Sequence, residues 1–197
     1  MKKLFYIIPL LFAFVACGGG NQSEQAETTE SSTGESATTA EEVSSEDGIT
    51  LVGTDQMKFT VKSNNMEDVT VSEQTSGTKY DELYIVEQIA AKAGEEMTIT
   101  LENNTNLPAQ AMAHNFVLLK KDADVQGFVN ASMGQKGNDY IAPDMTDQVI
   151  ANTAMLAGGE SETITFTVPS EPGEYTFVCT FPGHYGGGMV GVIKVTE

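Results

Sequence analysis

From Gly48 onward the chain alternates between apolar and polar positions. The runs "ITLVGTDQMKFTVK" (49–62), "EMTITLEN" (96–103), "HNFVLL" (114–119), "ETITFTVP" (162–169), "EYTFVCTF" (174–181) and "MVGVIKVTE" (189–197) either alternate or stay apolar, and they are rich in β-branched and aromatic residues. Such runs predict strands. Turn-forming stretches separate them: "AGEE", "NNTNLP", "LAGGES" and "SEPGE". Short strands spaced in this way predict an all-β sandwich or barrel. One stretch changes period. In "DADVQGFVNASMG" (122–134), Val125, Phe128 and Val129 recur at helical spacing behind an Asp, which predicts a short capped helix. Residues 66–90, "MEDVTVSEQTSGTKYDELYIVEQIA", fit either a hairpin or an inserted helix and are expected as an insertion.

The first 47 residues follow a different pattern. "MKKLFYIIPLLFAFVACGGG" has two lysines, an apolar stretch from Leu4 to Ala16, and small residues around a Cys. This reads as a secretory signal, short for a membrane span. "FVAC" resembles the lipobox of bacterial lipoproteins, in which the Cys becomes the acylated first residue. Phe14 stands where Leu is usual. On this reading residues 1–16 are a signal peptide, Cys17 is the lipidation site and 17–47 are an acidic, disordered tether. Residues 18–47 carry eight acids, no base and scarcely an apolar side chain. Such a segment cannot bury enough surface to offset its ordering entropy. The protein is then exported and anchored by lipid to a bacterial membrane, facing the periplasm or the exterior.

Charge narrows the range of partners. The chain has 10 Lys and no Arg against 28 acids, a net charge of −18. Nucleic acid is excluded as a partner, because binding it needs a basic surface that displaces counterions. A partner with a basic face is the alternative.

The candidate chemistry lies near the C-terminus. In "CTFPGHYGGGM" (179–189) a thiol, an imidazole and a thioether fall within one loop between two predicted strands. His114, in "AMAHNFVLL", opens an upstream strand, and the chain has only two His and two Cys. With Cys17 acylated, Cys179 is the one thiol left in an oxidising compartment. Two imidazoles, one thiolate and a long axial Met form the diagnostic ligand set of blue copper. Zinc accepts His and Cys as well, but Met suits it poorly. A catalytic Cys–His pair is a further reading, without a clear orienting acid near either His. A Ser/His/Asp triad, a P-loop and a dinucleotide-binding glycine turn are absent from the sequence.

Four stretches together resemble the azurin branch of the cupredoxins: "GTDQMKFT" (53–60), "LPAQAMAHNFVLL" (107–119), "DYIAPDMTDQVIANTAMLAGGESETITF" (139–166) and "YTFVCTFPGHYGGGM" (175–189). The resemblance covers most of residues 48–197. It implies a Greek-key β-sandwich of about eight strands with a helical flap, binding one copper and passing single electrons rather than catalysing a reaction. Carried over residue by residue, His114, Cys179 and His184 are equatorial ligands and Met189 is axial. Asn115 ties the His114 strand to the ligand loop with Thr180. Leu107, Pro108, Met112, Phe181, Pro182 and Tyr185, with Met57, are candidates for an apolar docking patch around His184. The implied partners are redox proteins such as cytochromes, met by a monomer. A copper-delivering lipoprotein is the alternative. The sequence departs from azurin in four ways. Four residues, not three, separate the loop His from Met, as in plastocyanin or auracyanin. Ala113 stands where azurin's glycine carbonyl is a weak ligand. There is no cysteine for azurin's disulfide, and no core tryptophan.

The anchor is open to a direct test. Cys17→Ser is expected to move the protein from the membrane pellet to the soluble fraction, since acyl chains supply about 0.8 kcal/mol per buried CH₂. A variant that still pellets like wild type sinks the lipoprotein reading.

Overall fold

The computed structural model describes residues 48–197. The expected signal peptide, the expected lipidation site Cys17 and the expected tether lie outside the described residues. The regular structure of the described part is mostly strand: β1 (Ile49–Thr54), β2 (Phe59–Val61), β3 (Val69–Thr75), β4 (Leu83–Lys92), β5 (Glu96–Asn104), β6 (Val117–Leu119), β7 (Val149–Asn152), β8 (Ser161–Thr167), β9 (Gly173–Val178) and β10 (Val190–Thr196). A single α-helix, α1 (Val125–Ser132), and two short 3₁₀ turns, Lys136–Asn138 and Pro143–Gln148, fall between β6 and β7.

The strands hydrogen-bond in the order β7-β6-β9-β10-β4-β2-β1-β5-β8, with β3 paired to β4. Most neighbours in space are distant in sequence, as in a Greek-key arrangement. Two pairs are parallel, β1 with β5 and β10 with β4. The ends of the path, β7 and β8, come back against each other, so the sheet folds round a core as a β-sandwich.

The burial pattern follows from this wrapping. β8 and β10 alternate, with Ile193 and Val195 inside and Lys194 outside. β6 does not alternate, because both of its faces are covered. Phe116 and Leu118 enter the main core, while Val117 and Leu119 enter a second cluster with Phe128 and Val129 of α1. A strand covered on both sides reads as a continuous apolar run. α1 forms where the spacing predicted it. Asp124 caps it by accepting from the Gly127 N–H at 3.0 Å.

Ten strands are present where about eight were expected. The run 49–62 breaks into two strands at a turn where Met57 takes φ 56°, and "VIAN" pairs as β7. Residues 66–90 are not an inserted helix: they hold β3 and most of β4, an antiparallel hairpin. The buried Val86 and Ile89 are three residues apart, a helical interval. The strand achieves this with a bulge. Thr70 pairs Gln88 and Val71 pairs Val86, so Glu87 is an extra residue and Val86 and Ile89 reach the same core.

Three rings centre that core. Phe177 lies 5.2 Å from Phe59 and 5.2 Å from Phe116, centroid to centroid. Gly191 makes room for it, since a Cβ there would sit 2.3 Å from the Phe177 ring. Phe177→Ala is expected to lower stability by about 3–5 kcal/mol in denaturant unfolding. A loss under about 1 kcal/mol, the range of a tolerated swap, would mean the ring cluster is not the centre of the core.

Candidate metal centre

The fold brings three soft donors to one end of the main core. Cys179 follows β9 directly, and two residues after Phe177 it faces the same core. His114 precedes β6, the strand hydrogen-bonded to β9, and exchanges backbone hydrogen bonds with Leu156 at 3.1 and 2.8 Å. His184 lies in the loop from β9 to β10, its N–H donating to the Phe181 carbonyl at 3.0 Å. Met189 ends that loop. Its N–H donates to the His184 carbonyl at 2.9 Å, and its carbonyl accepts from Cys179 N–H at 3.2 Å.

The donor atoms form a small triangle. The two Nδ1 atoms are 3.2 Å apart, and the Cys179 Sγ lies 3.4 Å from His184 Nδ1 and 3.9 Å from His114 Nδ1. A point equidistant from all three is about 2.0 Å from each, close to the bonds of about 2.0–2.3 Å that such atoms make to a transition-metal ion. Among the described residues this is the one group of three such donors within 4.8 Å of one another. His114 and Cys179 are 0% exposed, His184 2% and Met189 0%. The set therefore fits a single soft cation held away from water.

Burial also sets the protonation. It lowers His114 to about 3, helped by the nearby His184, while the Thr54 backbone pulls weakly the other way. It lowers His184 to about 4. Both imidazoles are neutral and ready to ligate at pH 7. Burial pushes the Cys179 thiol up to about 12, opposed by the backbone N–H groups of Asn115 and Phe181, which face the sulfur. Metal binding there must displace the thiol proton, and the same N–H groups then stabilise the thiolate.

A second set of residues holds the donors. Asn115 grips Thr180 twice: its Nδ2 donates to Thr180 Oγ1 at 2.8 Å, and its Oδ1 accepts from Thr180 N–H at 2.9 Å. The same Nδ2 also donates to the Asp139 carbonyl at 3.0 Å. Asn115 thus ties His114 to Cys179 through the residues next to each. Gly53 of β1 lies under the His114 ring, where a Cβ would come within 2.7 Å of Cδ2. Lys58 Nζ donates to the Gly187 carbonyl at 2.8 Å. Sequence reasoning missed Gly53 and Lys58. A glycine inside a strand is itself a sign of close approach, and that signal was available at Gly53.

The expected docking patch is only partly open. Leu107, Pro108 and Pro182 are exposed and Met112 is half-buried. Phe181 is instead buried, wedged between His184 at 4.6 Å and Tyr140 at 5.4 Å. Tyr185 is half-buried and turns to the cluster beneath α1. Met57 packs on Gly187 and the main core. Ala113 is buried beside His114.

Comparison with known proteins agrees with this site. Auracyanin-B of Chloroflexus aurantiacus is 38% identical over 109 residues, which is 55% of this chain and 45% of that protein. Outer membrane protein H.8 of Neisseria meningitidis is also 38% identical over 109 residues, 54% of this chain and 57% of its own. The chain thus spans about half the length of these relatives. Among solved structures, sodium-dithionite-reduced auracyanin from Roseiflexus castenholzii is 38% identical, with a TM-score of 0.50, covering 58% of this chain and 87% of that one. The family model for copper binding proteins of the plastocyanin/azurin family matches residues 71–196. That span takes in more than half of the chain and all three clustered donors, and the chain belongs to the plastocyanin/azurin family of copper-binding proteins.

Proposed function

We propose that the protein carries single electrons on one copper ion, held by His114, Cys179 and His184 with Met189 as a long axial ligand. The triangle of buried donor atoms carries this reading. Its sides, 3.2 to 3.9 Å, suit a single metal ion bound to all three. Electron exchange is fastest when the ligands barely move between the two oxidation states, and a site fixed by its scaffold meets that condition. The copper supplies the one-electron change. The chain orients three donors, excludes water and faces two N–H groups toward the sulfur.

Burial disfavours the alternative of copper delivery. A metal passed to a partner must be reached by the partner's ligands, and here the donors are 0–2% exposed. Electrons need only a thin cover. His184 is buried two residues after the exposed Pro182 of the same loop, and we place docking there, with Leu107 and Pro108 as further apolar contacts. Redox encounters are characteristically small interfaces.

The wider setting rests on charge and on the N-terminal pattern. From Gly48 onward the chain has 20 acids against 8 lysines. A redox partner with a basic face, such as a cytochrome, fits that balance. Acylation at Cys17 would hold the head at a bacterial membrane, outside the cytoplasm. Among the described residues no helix is long and apolar enough to cross one.

Two measurements test these statements. Cu(II) added to the metal-free protein should give an intense visible thiolate-to-copper band, and Cys179→Ser should abolish it while the β-domain stays folded. Full retention of the band in the variant rejects the site; a wild-type protein that holds copper only as Cu(I) and gives no intense band on oxidation favours delivery. For the partner, stopped-flow electron transfer should be faster with a basic than with an acidic cytochrome at low salt. The basic partner's rate should fall steeply as the screening length shrinks to about 10 Å at 0.1 M. A rate indifferent to salt removes charge from partner choice.

A further inference from the structure

Four lysines of the domain pair with carboxylates: Lys62 and Lys79 with Glu102, Lys92 with Glu95, and Lys121 with Glu171. Lys58 instead donates to a main-chain carbonyl 129 positions away, that of Gly187. Gly187 lies between two residues of the copper site, His184 and Met189, within a run of three glycines. Glycine gives the backbone its widest freedom, so this stretch is the least restrained part of the ligand loop by composition.

The glycines are shaped to receive the turn between β1 and β2. Gly188 takes φ +87°, and a Cβ there would lie 2.5 Å from Lys58 Nζ. A Cβ on Gly187 would lie 3.0 Å from both Sδ and Cε of Met57. Two consecutive glycines thus seat two consecutive side chains. The turn presenting them is itself fixed: Met57 N–H donates to the Thr54 carbonyl at 3.0 Å, and Thr54 N–H to the Lys58 carbonyl at 3.2 Å. One residue before Thr54, Gly53 underlies the His114 ring. A single turn therefore touches His114 at one end and the His184–Met189 segment at the other.

We infer that Lys58 is a positioning residue that clamps the glycine run of the ligand loop and so holds His184 and Met189 in register with His114. The inference rests on the reading of this site as a copper centre. Its hydrogen bond is charge-assisted, the stronger class, and its acceptor lies in the segment that most needs restraint. Met57 adds an apolar contact to the same segment.

Backbone hydrogen exchange in the metal-free protein reads the clamp without copper. The amides of Gly187, Gly188 and Met189 donate within the loop and report its opening. Lys58→Met is expected to speed their exchange roughly tenfold, the scale of losing one charge-assisted hydrogen bond. Lys58→Arg should restore slow exchange. Lys194→Met, which removes a charge from an exposed site, should leave these amides alone. In the copper-loaded protein, Lys58→Met should shift the visible and paramagnetic spectra. Exchange equal to wild type in Lys58→Met overturns the clamp. Faster exchange with unchanged spectra overturns its hold on the ligands. A wild-type protein that gives no intense visible band with Cu(II) defeats the copper reading instead, and the exchange data still decide the clamp.

Discussion

The site depends on the paired hydrogen bonds between Asn115 and Thr180. Each residue adjoins a ligand, and the two bonds, 2.8 and 2.9 Å, hold two chain segments 65 positions apart side by side. Because β6 and β9 are neighbours in the sheet, the pair extends their contact past the point where the ladder stops. Without it, three polar side chains would share a dry pocket with little to fix their spacing. Buried polar groups gain specificity only when their partners are fully supplied. Here the main chain of Asn115 also turns an N–H toward the sulfur, so one residue both joins the strands and tunes the donor.

The charge of the pocket agrees with its dryness. Two neutral imidazoles and a protonated thiol place no net charge in the interior. A carboxylate in the same place would need a counter-ion or would take up a proton. Donors that rest uncharged until a metal displaces the thiol proton thus suit the end of an apolar core better than carboxylates, and the acids that dominate the composition lie elsewhere, at the surface or in the N-terminal segment.

How much of this could be read in the sequence depended on range. The ligands were legible because their chemistry is rare in the chain: two His and two Cys leave few combinations. α1 was legible because Asp124, Phe128 and Val129 signal within five residues of each other. Lys58 was not, because its meaning comes from a residue 129 positions away and its own neighbours look ordinary; Gly53, a glycine inside a strand, signals a close approach but not that His114, 61 positions away, is what approaches. Residues 66–90 stayed open between a hairpin and an inserted helix for a different reason. A bulge at Glu87 converts a two-residue strand period into a three-residue one, which imitates a helix. The expected docking patch differs from the structure at Phe181, because an aromatic residue in a loop can turn inward as readily as outward, and here it packs between His184 and Tyr140.

The hairpin of β9 and β10 is closed at its root, with Val178 opposite Val190 and the Cys179 N–H on the Met189 carbonyl. The loop between those two residues adds no rung to the sheet, and side chains, Asn115 on Thr180 and Lys58 on Gly187, tie it to the rest. Its length can therefore change by a residue without moving a strand, because no register in the sheet passes through it. In evolutionary terms the segment is a cassette. Its glycine-rich part can vary while the sandwich that carries it stays the same, provided Thr180 and His184 keep their places.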